Sequence, residues 1–252
     1  YKGTASAARF IQDLQDITLK RSAPALYKDT TSRWTGNSYD IEFNCHQSMD
    51  LMYFVMPGMF ISDSTSIKAS VTKDGVAKAS LTSPRIAYRQ QFMMRHIDAR
   101  FDNKDNRILG EMTCDTIKVS TLDLISNRFH LLVHDNHIGA EYEYDNNTEQ
   151  VNRGEFVVNG DLNRDEDGLG MSVELAPSTL YLNSRKWNIL ASRLFVKGSE
   201  LDVDDFEMTS GEQKVRLFGK TSSTIPNTLT LNLERFDISI LNPLLGSNFG
   251  IR

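Results

Sequence analysis

Apolar and polar residues alternate with period two through almost the whole chain. Leu201 and Val203 alternate with Asp202 and Asp204, Val215 and Leu217 with Lys214 and Arg216, and Leu229, Leu231 and Leu233 with Thr228, Thr230 and Asn232. Phe129, Leu131 and Val133 repeat the pattern, as do Ile138, Ala140, Tyr142 and Tyr144, and Met171, Val173 and Leu175. Successive side chains of a strand point to opposite faces, so this pattern marks strands with one apolar face and one wet face. Strands covered on both sides read as unbroken apolar runs, so the expected sheet is antiparallel. Ile117 and Val119 are followed by Leu122 and Leu124 with a slip of parity, which predicts a β-bulge.

The breaks carry turn chemistry. Lys73-Asp74-Gly75 reads as a tight hairpin, and Asp102–Arg107, Asp145–Gln150, Asn163–Gly170 and Ser210-Gly211-Glu212 are short polar connections. Roughly fifteen strands at this spacing form an all-β meander, with no βαβ rhythm. Two stretches depart from it. Ser48–Pro57 is apolar, with Ser48 as N-cap and Pro57-Gly58 as stop, and predicts a short helix. Ala7–Ile17 places Phe10, Ile11, Leu14 and Ile17 at helical spacing. No linker rich in Pro, Gly or Ser interrupts the chain, so one continuous domain is expected over 1–252, with 1–40 unassigned and the β-region running over 65–245.

Charge and hydropathy exclude some classes. With 28 basic and 33 acidic residues the net charge is −5, so there is no basic excess to neutralise nucleic-acid phosphates, and no nucleic-acid partner is expected. No apolar run approaches the ~18 residues of a membrane-spanning helix. The chain opens at Tyr1 without an initiator Met or signal peptide, and reads as an internal segment of a longer protein.

Catalytic signatures are scarce: G-x-S-x-G, the phosphate-binding loop, H-E-x-x-H and C-x-x-C are all missing, and neither an enzyme nor a cofactor is expected. His130, His134 and His137 have a metal-like spacing, but His130 and His134 fall on the wet face opposite Phe129, Leu131 and Val133, where a solvated pair is the plainer reading. Asp161, Asn163, Asp165 and Asp167 match the first positions of a calcium loop. Glu166 stands where the loop needs Gly and Ser172 where it needs Glu, so a hairpin turn is expected instead. Asn146-Asn147-Thr148 fits a glycosylation sequon. Cys45 and Cys114 each extend an apolar run and read as buried thiols, with a disulfide between them as the alternative.

Alternation leaves two architectures open, a closed sandwich of two sheets and one long sheet bent into a trough. A resemblance favours the second. Residues 187–245 contain a Trp187-Asn188 opener, a strand ending Val203-Asp204-Asp205-Phe206, Ser210-Gly211-Glu212-Gln213, Gly219, the strand Leu229–Leu233 and the closing Leu241-Asn242-Pro243-Leu244-Leu245. Upstream come the apolar stretch Met49–Pro57, the hairpin Ile67–Leu81 and Leu175-Ala176-Pro177-Ser178. Their order resembles the repeat region of the TamB family, the AsmA-like translocation and assembly proteins of bacteria with two membranes, in its Bacteroides-like version.

The resemblance implies an elongated antiparallel sheet curled into a taco-shaped apolar groove, with one or two short helices. It also implies a periplasmic segment of an inner-membrane-anchored protein that reaches the outer membrane. A TamA- or BamA-like outer-membrane β-barrel would be engaged through other parts of the full-length protein. The implied roles are phospholipid transport between the membranes and assembly of outer-membrane proteins. Exposing a sixteen-carbon acyl chain to water costs on the order of 12 kcal/mol at ~0.8 kcal/mol per methylene, and a continuous apolar floor removes most of that without any catalytic residue. The expected lining is Phe129, Leu131, Val133, Val173, Leu175, Leu201, Val203, Val215, Leu217, Leu229, Leu231 and Leu233, and the expected ligand is phospholipid acyl chains. Two alternatives remain: a scaffold for barrel or autotransporter strands, and a glycan-binding sandwich, for which Trp34 and Trp187 are the only tryptophans. Cut sheet edges predict edge-to-edge self-association.

Overall fold

The structure, a computed structural model, describes residues 1–46, 56–89, 91–119, 122–149, 151–182, 184–223, 226 and 228–237. Most of the expected helix at 48–57, and the closing motif at 241–245, lie outside the described residues.

Seventeen antiparallel strands among the described residues form one sheet. They are β1 (Lys2–Gly3), β2 (Tyr39–Asn44), β3 (Met59–Ile61), β4 (Ser66–Val71), β5 (Ala77–Tyr88), β6 (Phe92–Asp102), β7 (Ile108–Val119), β8 (Leu122–His134), β9 (His137–Asp145), β10 (Arg153–Asp165), β11 (Gly168–Leu175), β12 (Ser178–Leu182), β13 (Arg185–Ile189), β14 (Ser192–Lys197), β15 (Glu200–Ser210), β16 (Gln213–Thr221) and β17 (Thr230–Glu234). β2 pairs with β4, β4 with β5, and each strand from β5 to β9 with the next. This is the meander that short turns between alternating segments dictate.

Beyond β9 the pattern splits. β11 pairs with the second half of β10, and β12 with its first residues, Arg153 and Gly154. β11 then meets β14, β12 meets β13, and both β13 and β14 meet β15. β11 and β12 are therefore one strand position interrupted at Ala176-Pro177, and β13 and β14 are another interrupted at Leu190-Ala191. Proline has no N–H for the ladder, which accounts for the first interruption. β1 and β3 are short additions alongside β2 and β5. With those set aside and each split strand taken once, thirteen positions lie side by side, fewer than the expected fifteen.

The sheet curls where strands bend. In β6 and β8, His96 (φ 48°) and Ser126 (φ 52°) adopt left-handed backbone, a conformation that turns an extended chain aside. Pro84 lies beside them in β5. A second run of irregularities crosses the split strands and reaches β15, whose register shifts between Val203 and Phe206. Two expectations are corrected here. The strand expected to end at Phe206 continues to Ser210. The parity slip at Val119/Leu122 is not a bulge: Val119 pairs with Leu122 and Ile117 with Leu124, so the slip is the chain's return from β7 to β8.

The first forty residues cover one rim of the apolar face. α1 (Ala7–Ile17), α2 (Leu19–Ser22) and a 3₁₀ turn (Pro24–Leu26) cross the strands in succession. Phe10, Leu14 and Ile17 pack with Tyr39, Val71 and Ala77, and Leu19, Ala23, Ala25 and Leu26 pack with Ile108, Val133 and Leu162. The α1 span is the one its helical spacing predicts, although Ile11 points outward. Hairpin turns hold the crossing in place. Asn103 Nδ2 donates to Ile17 O at 2.9 Å, Asn136 Oδ1 accepts from Ala25 N at 2.7 Å, and Arg164 Nε donates to Ala25 O at 2.7 Å. A third apolar cluster, Leu180, Trp187 and Ile189, lies beyond the crossing.

Candidate apolar groove

Register places eleven of the twelve expected lining residues on one face; the twelfth, Leu229, stands just before β17, which begins at Thr230 rather than at Leu229, and has no ladder partner. Val133 pairs with Ile138, Ile138 with Gly160, Gly160 with Val173, Val173 with Leu194, and Leu194 with Val203. A parallel row joins Leu131, Ala140, Val158, Leu175 and Ser192. Phe129 opposes Tyr142, and Leu201 opposes Val196. Past the shift in β15, Phe206, Leu217 and Leu231 form one row and Met208, Val215 and Leu233 another.

Exposure divides the set. Val133 and Val203 are buried, Val133 in the cluster that α2 and the 3₁₀ turn cover. Phe129, Leu131, Val173, Leu175, Leu201, Val215 and Leu217 are half-buried. Leu229, Leu231 and Leu233 are 40%, 59% and 44% exposed. The apolar face is thus roofed by the helical crossing at the β2–β11 side and open towards β17. Several residues of this face have no place in the expected lining: Phe156, Ile189, Phe206 and Met208 pack around Trp187 and Leu180. Their signal is present in the alternation of Trp187 with Ile189 and of Phe206 with Met208.

A polar seam runs under the apolar rows. Asn127 Nδ2 donates to Leu124 O at 2.8 Å, and Tyr142 OH donates to Asn127 Oδ1 at 2.7 Å. Burial pushes the Tyr142 phenol up, and the Tyr144 phenol up to about 12. A Cβ on Gly154 would come within 2.8 Å of the Tyr144 ring, so this position admits only glycine without a shift. Cys45 and Cys114 are both buried free thiols. Burial, with Asp115 adding to it, raises Cys114 to about 11.

The opposite face carries the charge. Cross-strand pairs Lys68–Glu42 at 3.6 Å, Lys78–Asp102 at 3.7 Å and Lys220–Asp202 at 2.6 Å, with the bidentate Arg216–Asp205 contact at 2.8 Å, keep it hydrated. Such exposed pairs contribute little each. Two concavities lie on this side, about 790 Å3 among Glu42, Lys68, Lys78 and Arg100, and about 610 Å3 among Asp161, Glu174, Arg193 and Asp202.

The remaining motifs resolve as local structure. His130 lies on the charged face near Glu111 at 4.0 Å, while the His134 and His137 rings meet across the β8–β9 turn at 5.5 Å and His137 Nδ1 contacts Asp161 at 3.0 Å. Asp165 accepts from the backbone N–H of Asp167 and Gly168 and pairs with Lys197 at 2.7 Å, the geometry of a hairpin turn. The Lys197 bond and the turn amides hold the Asp165 carboxyl below its ordinary range. Asn146 Nδ2 donates to Thr148 Oγ1 at 2.7 Å within the sequon. Trp34 is half-buried against the first apolar cluster and Trp187 is fully buried. No protein-family model, curated protein or solved structure matches this chain.

Proposed function

We propose that the chain is a segment of a TamB-like, periplasm-spanning trough that shields lipid acyl chains, supporting phospholipid transport between the two membranes and outer-membrane protein assembly. The observation that carries this reading is the open part of the apolar face at β16 and β17, where Leu231 and Leu233 are exposed and Leu217, opposite Leu231, is only half-buried. A monomer in water stabilises itself by burying such side chains, and one that leaves a contiguous set open keeps a surface for an apolar partner. A hydrocarbon chain suits it because the face offers methyl and methylene contacts without regularly spaced polar groups.

The test is lipid retention. The purified chain, incubated with phosphatidylcholine vesicles and re-isolated, is expected to carry lipid measurable by mass spectrometry. Leu217→Asp leaves a charge on the groove floor and is expected to lower retention at least tenfold while the far-ultraviolet circular dichroism stays that of the parent. A folded Leu217→Asp chain that retains as much lipid as the parent overturns the reading. The open far edge of β17 among the described residues favours a second reading, capture of outer-membrane strands by edge pairing. In that case an added β-strand peptide binds and Leu217→Asp leaves binding unchanged.

A further inference from the structure

The larger concavity of the charged face, about 790 Å3, spans β2, β4, β5, β6 and β7. Register fixes what its floor carries. Ser80 stands directly between Lys68 and Arg100, and Ser70 stands beside Lys78. Both serines are half-buried, while the side chains of Lys68, Lys78 and Arg100 are 65%, 66% and 71% exposed. Two short side chains among long ones make the depression.

Charge is arranged around the serines in two rings. Each cation has a serine on one side and an acid on the other: Glu42 opposes Lys68, Asp102 opposes Lys78, and Glu111 opposes Arg100. All six charged side chains line the same cavity. The contacts between the rings are loose. Lys68–Glu42 at 3.6 Å and Lys78–Asp102 at 3.7 Å are longer than a hydrogen bond, and Arg100 pairs at 3.2 Å with Asp98 rather than with Glu111. Lys220–Asp202, outside the cavity, closes to 2.6 Å. An ammonium has three donors and a guanidinium five, so the inner ring keeps donors for a ligand. Leu109, opposite Asp102, opens into the cavity and is 45% exposed.

We propose that this cavity binds an acidic saccharide, a sugar that carries a carboxylate or a phosphate. The inner cations and the two serine hydroxyls hold the anionic group through charge-assisted hydrogen bonds. The outer carboxylates accept from the sugar hydroxyls, and Leu109 meets the C–H face of a ring. A bare anion gains nothing from the outer carboxylates, which repel it, and a neutral sugar leaves the three cations unused. The volume is that of a small-ligand site. The cavity lies on the face opposite the apolar rows, so the inference does not rest on the acyl-shielding reading.

The experiment is calorimetric titration of the purified chain with trigalacturonate, its methyl ester, maltotriose with a terminal phosphate, plain maltotriose, and inorganic phosphate. At least one acidic sugar is expected to bind about tenfold more tightly than its neutral counterpart and than inorganic phosphate, the contribution of a charge-assisted hydrogen bond. The two acidic arms tell a carboxylate from a phosphate. Added salt is expected to shrink the preference, because the cations are exposed. Ser80→Leu fills the centre of the floor and Arg100→Gln removes one inner cation, and each is expected to abolish most of the preference. Arg193→Gln, in the smaller concavity, is expected to leave it unchanged. Far-ultraviolet circular dichroism checks folding, and lipid retention by the Ser80→Leu chain is expected to match the parent. Equal binding of acidic and neutral sugars, inorganic phosphate binding as tightly as the acidic sugars, binding of no probe, or a preference that survives in folded Ser80→Leu and Arg100→Gln chains overturns the inference and leaves the acyl-shielding reading standing.

Discussion

Asp13 shows how a single side chain can anchor a helix on a sheet. Its carboxylate is fully buried in α1 and accepts from Tyr39 OH at 2.5 Å, Asn37 Nδ2 at 2.7 Å and Arg9 Nε at 3.2 Å. Burial pushes its pKa up, but the bonds from Tyr39, Asn37 and Arg9 outweigh it and hold the group below the usual carboxylate range. On the other side of the same bond, burial and Asp13 push the Tyr39 phenol up to about 12. A carboxylate with a depressed folded pKa stabilises above its unfolded pKa, and that stabilisation is lost as pH falls through the folded pKa. Asp13→Asn is therefore expected to destabilise the chain by about 1–3 kcal/mol near neutral pH. The gap to the parent should close as pH falls below the ordinary carboxylate range. Urea unfolding at a series of pH values checks this, and a gap that stays constant down to strongly acid pH refutes it.

At the scale of elements, the helical crossing depends on turns that are remote in sequence. Asn103 is the clearest: Nδ2 donates to Ile17 O at 2.9 Å and to Gly75 O at 3.1 Å, and Oδ1 accepts from Ala77 N at 2.7 Å. Asn103→Ala strands three buried backbone groups and is expected to cost on the order of 2 kcal/mol or more. Native-state hydrogen exchange should then show lost protection at Ala77 and the end of α1 and unchanged protection in β15 and β16; uniform loss refutes the anchoring role. The helix itself was legible, because Phe10, Leu14 and Ile17 repeat at the helical period. Its seat was not, because Asn103, Asn136 and Arg164 read only as polar turn or strand residues until the meander brings their turns to one rim. Strand pairing was legible for the complementary reason, that neighbours in sequence are neighbours in space. The bends at His96 and Ser126 carry no sequence signal, since neither residue type announces a left-handed backbone. Ala176-Pro177 reads equally well as a turn or as an interruption within one strand position.

For the whole molecule, the number of strand positions sets the length. Thirteen positions at ~4.8 Å spacing span about 58 Å, shorter than fifteen separate strands would give because two positions are split. A compact globule of 252 residues has a radius of gyration of roughly 18 Å. The curled sheet is expected to exceed 20 Å in small-angle scattering from a dilute monomer, and a value near 18 Å contradicts it. Eleven of the twelve expected lining residues share a face because period two fixes which side each occupies within its strand. What period two could not convey is the roof, which buries Val133 and leaves Leu231 open.

The meander has a further consequence for how such a chain can change over generations. Each strand position touches little beyond the positions beside it, so a duplicated or deleted hairpin alters reach by about 10 Å and leaves the cross-section as it was. Reach is then inherited as a copy number rather than as a sequence, and a lineage that must bridge a wider gap can do so by stuttering. The helical crossing restricts where: hairpins between β4 and β11 are tied to it, whereas those towards β17 are free to multiply.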